Sequence, residues 1–313
     1  MEKLLEEILN EVSPLCREGN TASYIPALSL ADRDNLGLSM ADIDGKTWQA
    51  GDSKIYFTMQ SIAKIFCFSL ALKDIGLDSI SKIVGLEPTG HPFYSLEHVE
   101  STQWYPHNPF TNAGAITICS MIKGKSYKTK FNRILTLIRD FTVDLNITMD
   151  EEVYISEKNS NCRNKAITYL VNSFGLLQGN PSSVLDLYTR ICAIKISTEG
   201  LAVAAATLAN NGVNPNTGKQ VIASEHCTII NALMSTCGLY DESGVFAIKV
   251  GFPAKSGVGG GILSVVPGCY GIGVYGPSLN KNGNSIAGIK ALELLSKKLN
   301  LSLYQGRPQV IDF

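Results

Sequence analysis

Tyr56-Phe57-Thr58-Met59-Gln60-Ser61-Ile62-Ala63-Lys64-Ile65-Phe66 is the stretch on which the reading of this chain turns. It holds Ser-x-x-Lys, with the serine near the start of an apolar run. The run continues through Phe68, Leu70 and Leu72 to a helix stop at Lys73-Asp74-Ile75-Gly76. Apolar groups on all sides predict a buried helix, and lysine rarely lies in such a helix without a reason. At a spacing of three, Ser61 and Lys64 share one face, a turn apart. The helix N-terminus adds orphan N–H groups and partial positive charge beside the serine oxygen. Burial disfavours an ammonium, so Lys64 is a candidate neutral base. A base beside a hydroxyl is what activates a serine nucleophile. Alone, the tetrapeptide fits a plainer reading as well, with Ser61 an N-cap and Lys64 snorkelling to the surface. The rest of the chain decides between them.

Before this helix, strands are expected over 27–31 and 36–41. Asp44-Gly45 is a turn signal, and 47–50 pairs back as a hairpin. Residues 1–20 read as an amphipathic helix with Leu5, Ile8, Leu9 and Val12 on its buried stripe. After it, helical patterns dominate. A loop is expected over 85–92, and residues from Trp104 onward enter a helix near Asn112. Further helices fall over 131–140, 163–174 and 184–191. Thr198 caps a helix over 199–210 that closes at Gly212. Strands return at 244–250, 260–266 and 270–275, and an amphipathic helix spans 285–300. Strands at both ends around a helical middle predict an α/β (α+β) fold. One antiparallel sheet carries the terminal helices on one face, and an all-helical lobe is inserted. The lobes are 1–58 with 226–313, and 59–225. Ser61 falls where the chain passes between them, so it is expected in the cleft.

Of 313 residues, 45% are hydrophobic and 18% charged, an ordinary globular balance. The net charge of −1 gives no electrostatic case for nucleic acid or an anionic membrane. Residues 1–12 lack the basic start and apolar middle of a secretory signal, and no run is long enough to span a bilayer. The eight cysteines are scattered without a C-x-x-C pair, which predicts reduced thiols in the cytoplasm. His91, His98, His107 and His226 are equally dispersed, so no metal or other cofactor is expected. His107 reads as structural.

Ser61-Ile62-Ala63-Lys64, followed much later by Pro253-Ala254-Lys255-Ser256-Gly257-Val258, resembles the serine β-lactamase and penicillin-binding superfamily. Within it the chain is more similar to the serine-dependent glutaminase family. The matching segments run in family order from about residue 20 to 275. They are Tyr24-Ile25-Pro26, Gln60 to Lys64, Asn108 to Ile116, Ser156-Glu157 with Arg163-Asn164, Asp186-Leu187-Tyr188, Cys237 to Asp241, and Gly251 to Val258. The family usually has Gly-Asp before the arginine, where this chain has Asn161-Cys162, and often a second serine at Ala63.

The resemblance implies a β-lactamase/transpeptidase-like fold and hydrolysis of L-glutamine to L-glutamate and ammonia through a γ-glutamyl-serine intermediate. It makes Ser61 the nucleophile and Lys64 its base. Tyr24 and Tyr240 become proton-passing hydroxyls, and the Ser61 and Val258 N–H groups the oxyanion hole. Asn112, Glu157, Asn164 and Tyr188 become the clamp on the substrate's charged end. A zwitterion asks for this set, with a carboxylate for its ammonium and neutral donors for its carboxylate. The family also implies a homo-oligomer, dimer or tetramer. Lys255 is expected to line the cleft. Two other functions stay in contention: a penicillin-interacting β-lactamase or peptidase, and a non-catalytic relative that binds an amino acid.

Overall fold

Residues 1–89 and 105–305 are described by the structure, a computed structural model. His91, His98, Trp104 and the far end of the loop expected over 85–92 lie outside them. Among the described residues the strands are β1 (Gly37–Asp42), β2 (Thr47–Gly51), β3 (Phe57–Thr58), β4 (Lys195–Ile196), β5 (Ala254–Ser256), β6 (Gly261–Val266) and β7 (Tyr270–Tyr275). Five form one antiparallel sheet in the order β2-β1-β7-β6-β5, so the two chain ends meet at the β1–β7 ladder. The β1–β2 hairpin closes at Gly45, which has φ +91, while Asp42 Oδ1 accepts from the N–H groups of Asp44 and Lys46.

The period of two decides what each sheet face touches. Leu38, Met40, Ile272 and Val274 point to one face. There they pack with Leu5 and Ile8 of helix α1 (Glu2–Val12) and with Leu292 and Leu295 of the C-terminal helix, Ile286–Leu299. The terminal helices thus share one face, as the sequence predicts. Ser39, Ala41, Gly271 and Gly273 point to the other face, against the helix Thr198–Ala209. A Cβ on Gly271 would stand 2.0 Å from the Ala206 nitrogen, and one on Gly273 would stand 2.2 Å from the Thr198 oxygen. The alternate glycines of β7 therefore let an alanine-rich helix lie directly on the strand. That helix comes from the 59–225 stretch, and it joins the sheet to the helical part of the chain.

The helical part is built from α2 (Ala63–Ile75), α3 (Leu77–Ser81), α4 (Asn112–Met121), α5 (Tyr127–Thr142), α6 (Glu151–Ser160), α7 (Cys162–Ser173) and α8 (Pro181–Cys192). Thr198–Ala209 is α9, and α10 spans Ser224–Cys237. In α2 every residue from Ala63 to Leu72 is buried, and it stops at Gly76, φ +74. No helix among the described residues is long and apolar enough to cross a membrane.

Three local expectations are corrected. Residues 27–31 are not a strand but part of a 3₁₀ helix, Pro26–Leu30, because Pro26 presets its first turn. Residues 244–250 are not a strand but α11 (Ser243–Lys249). Phe246 and Val250 are buried four apart, while Val245 and Ile248 are exposed, a period of 3.6 and not 2. The cap of α9 is Ser197, whose Oγ accepts from Gly200 N at 3.1 Å. Thr198 instead bonds Ser39 Oγ at 2.7 Å, and Asn211 (φ +53) turns the chain before Gly212. The C-terminal helix is α12, capped by Ser285 and ended by Asn300 in the left-handed region.

Candidate active site

The chain reaches Ser61 through a constrained turn. β3 pairs with β4, Met59 N–H donates to Ile194 O at 2.9 Å, and Gln60 takes φ +47. A left-handed non-glycine residue costs energy and marks a position fixed by its surroundings. A 3₁₀ turn over Gln60–Ile62 then leads into α2. Ser61 stands at that entrance and not inside the α-helix proper, and Lys64 is buried one turn on.

The loop after β5 closes over this turn. A Cβ on Gly257 would lie 2.3 Å from Met59 O and 3.3 Å from Ser61 N. Only a glycine lets the two backbones approach so closely, and it brings the Val258 segment beside Ser61.

Lys64 Nζ donates to Phe110 O at 2.8 Å and to Asn112 Oδ1 at 2.7 Å. Asn112 in turn donates from Nδ2 to Asn164 Oδ1 at 2.9 Å. Lys64 donates to Asn112 Oδ1, which leaves Asn112 Nδ2 to donate to Asn164 Oδ1 and Asn164 Nδ2 as a further donor. Burial lowers the Lys64 pKa to about 8, partly opposed by neighbouring thiols and Glu157. Glu157, on α6, is almost fully buried, and its pKa is pushed up to about 7 by burial against the pull of Gln60 and Lys64. Its Oε2 has no hydrogen-bond partner among the described residues. Tyr188, on α8, is buried, and burial holds its hydroxyl well above the ordinary pKa.

Tyr240 has φ +54 and half-buried exposure, with its hydroxyl 3.5 Å from Ser256 O. Burial pushes its pKa up to about 12, against its hydrogen bonds with Ser61 and Ser256. Tyr24 stands on the rim, 59% exposed, where the following 3₁₀ helix is tied to α6 by Ala27 N–H to Ser156 Oγ at 3.0 Å.

One cleft of about 810 Å³ gathers the residues expected from the sequence. Tyr24, Ser61, Asn112, Glu157, Asn164, Tyr188 and Val258 line it, although they come from distant parts of the chain. Lys64 and Tyr240 are not in the lining: Tyr240 bonds Ser61, and Lys64, three residues on from Ser61, bonds the lining residue Asn112. Lys255 does not line the cleft. It is fully buried, its Nζ donates to Gly238 O at 2.9 Å and Ser256 O at 2.7 Å, and it lies 4.4 Å from the centre of the Tyr240 ring. His107 also lies outside the lining, where its carbonyl accepts from Glu87 N–H. Gln60, Asn161 and Cys192 line the cleft without having been assigned a place from the sequence. Gln60 carried a signal there as part of a matching segment and Asn161 as a departure from the family pattern, whereas Cys192 carried none.

A hydroxyl backed by a buried amine faces a wall that carries a carboxylate and two amides. That set suits hydrolysis of an amide in a small, doubly charged substrate. The glutaminase family model matches residues 19–304, and the chain belongs to that family. It is 46% identical over 305 residues to the glutaminase of Clostridium tetani (strain Massachusetts / E88), covering 97% of this chain and 100% of that protein. It is 44% identical to glutaminase 2 of Clostridium perfringens (strain 13 / Type A), with the same coverage. A solved structure described as a probable glutaminase from Bacillus subtilis, complexed with 6-diazo-5-oxo-L-norleucine, superposes with a TM-score of 0.89 at 33% identity, over 97% of each chain.

Proposed function

We propose that this chain hydrolyses L-glutamine to L-glutamate and ammonia through a covalent γ-glutamyl ester on Ser61. One observation carries the reading: Ser61 shares a cleft with a buried Glu157 oxygen that has no hydrogen-bond partner among the described residues, and the buried Lys64 amine bonds Asn112 of the same cleft. The Glu157 carboxylate takes the α-ammonium. Asn164 Nδ2, supported by Asn112 and Tyr188, takes the α-carboxylate. A neutral amine has two N–H groups and one lone pair. Lys64 Nζ donates to Phe110 O and Asn112 Oδ1, and as a neutral amine it accepts the Ser61 proton on its lone pair.

Oγ then attacks the amide carbon, and the N–H groups of Ser61 and Val258 hold the oxyanion as it develops. The departing nitrogen takes a proton passed from Lys64 by way of the Tyr240 hydroxyl and leaves as ammonia, with Tyr24 closing the outer side. Water repeats the attack on the ester, Lys64 again accepting the proton, and releases glutamate and free Ser61. No cofactor enters these steps.

The wider reading has the lobes 1–58 with 226–313 and 59–225, in a β-lactamase-like arrangement, and places a dimer or tetramer in the cytoplasm. Eight free cysteines support a reducing compartment, including Cys67 and Cys119 with Sγ atoms 3.7 Å apart. The experiment is labelling with 6-diazo-5-oxo-L-norleucine, a diazoketone analogue of glutamine that alkylates a nucleophile at the amide position. The adduct is expected on the Ser61 peptide and is prevented by excess glutamate. An adduct confined to Cys192, which also lines the cleft, would remove Ser61 from its role.

A further inference from the structure

We propose that Asn161 is a specificity-determining residue of this cleft, a second acceptor for the substrate's α-ammonium beside Glu157. The inference rests on the reading of Glu157 as the ammonium's partner and adds a residue to it. Asn161 lines the cleft and is 8% exposed. It follows α6 directly, four residues after Glu157, so the two side chains rise from one helix face a turn apart.

The orientation of its amide is set by chemistry. Asn161 Nδ2 lies 3.4 Å from Thr189 Oγ1, and that hydroxyl spends its proton on Leu185 O at 2.9 Å. Thr189 can therefore only accept, and Asn161 must present Nδ2 to it. Oδ1 is then turned away from Thr189, and it is buried with no hydrogen-bond partner among the described residues. A buried amide oxygen without a donor carries a desolvation cost. Glu157 Oε2 is in the same state in the same cleft.

An ammonium has three N–H donors and satisfies both oxygens at once. The amide adds an acceptor without adding a second negative charge beside Glu157, whose carboxyl burial already disfavours as an anion. The side chain makes no capping bond to α7, although it occupies the cap position, so its removal does not unpin that helix.

The test compares wild type, Asn161→Gly and Glu157→Gln. KM and kcat are measured for L-glutamine. Inhibition is measured with L-glutamate and with glutarate, which is glutamate without its α-ammonium. For Asn161→Gly, KM and the glutamate inhibition constant are expected to rise about tenfold, the worth of one hydrogen bond to a charged group. Its kcat should stay within about twofold and its glutarate inhibition should not change, since both quantities are blind to a contact that grips only the ammonium equally in ground and transition states. An unchanged glutamate constant in Asn161→Gly, with a raised one in Glu157→Gln, overturns the Asn161 assignment alone. Equal weakening of glutamate and glutarate in Asn161→Gly also overturns it, because the side chain would then shape the wall and not bind the ammonium. Unchanged glutamate inhibition in Glu157→Gln overturns the clamp on which the inference stands.

Discussion

Gly257→Ala tests the geometry beside Ser61 without touching any polar group. The added Cβ would lie 2.3 Å from Met59 O, where real Cβ contacts stop at 3.0 Å, so one segment must yield by about 0.7 Å, or about 1.1 Å for an ordinary 3.4 Å contact. The obstacle is a backbone oxygen and cannot rotate aside. Met59 is itself held by its bond to Ile194 O. The displacement therefore falls on the segment between Gly257 and Val258 or on the turn at Ser61, the two halves of the proposed oxyanion hole. A misplacement of about 1 Å costs about 100-fold in rate, and loss of one oxyanion donor costs a similar amount. Steady-state kinetics should show kcat reduced about 100-fold and KM changed far less, because the clamp on the charged end lies across the cleft. Gly244→Ala is the matched control. Nothing lies within 4 Å of its Cβ, and it sits in α11, so activity should be unchanged and the melting temperature equal or higher. A Gly257→Ala enzyme with wild-type kcat would refute the claim that close backbone packing builds the oxyanion hole.

Other outcomes follow from the same structure. The proposed roles need Glu157 ionised and Lys64 neutral, with pKa values of about 7 and about 8, so kcat/KM should rise with pH across both and turn down only where the substrate's own α-ammonium deprotonates. A profile from pH 5 to 10 checks this, and a flat one would exclude both groups. In Lys64→Arg the guanidinium keeps its charge, so turnover should be lost at every pH in that range. L-asparagine places its amide carbon one methylene nearer the clamp and should show kcat/KM lower by about 100-fold or more. Gly273→Ala drives a Cβ to within 2.2 Å of Thr198 O in the contact between β7 and α9, so thermal denaturation should reveal a loss of about 1–3 kcal/mol with kcat preserved.

The parts of the fold legible in the sequence are those with one dominant period. α1 and α12 each bury one face against a single layer, so a 3.6-residue stripe survives in the chain, while β1, β6 and β7 are covered on both faces and read as short apolar runs. Residues 244–250 misled because Val245 and Ile248 stay exposed, and exposed apolar groups blur a short period. α6 was hidden by its charge, since Glu151, Glu152, Glu157 and Lys158 outnumber its buried apolar residues, Val153 and Tyr154. α10 carries its apolar groups without a capping bond to announce its start. The site was legible as a set of segments, yet its assembly was not. The left-handed Gln60, the Glu157 oxygen without a hydrogen-bond partner among the described residues and the burial of Lys255 against Tyr240 depend on chain crossings no local pattern records.

The central claim is the ester on Ser61, and trapping it is the direct measurement. Enzyme quenched in acid during turnover of L-glutamine should show, by intact mass, a fraction increased by one glutamyl group, and peptide mapping should place it on Ser61. The fraction should grow in Gly257→Ala if deacylation slows more than acylation, and it should be absent in Ser61→Ala. Full turnover by Ser61→Ala, or a glutamyl group mapped to any other residue, would contradict the account.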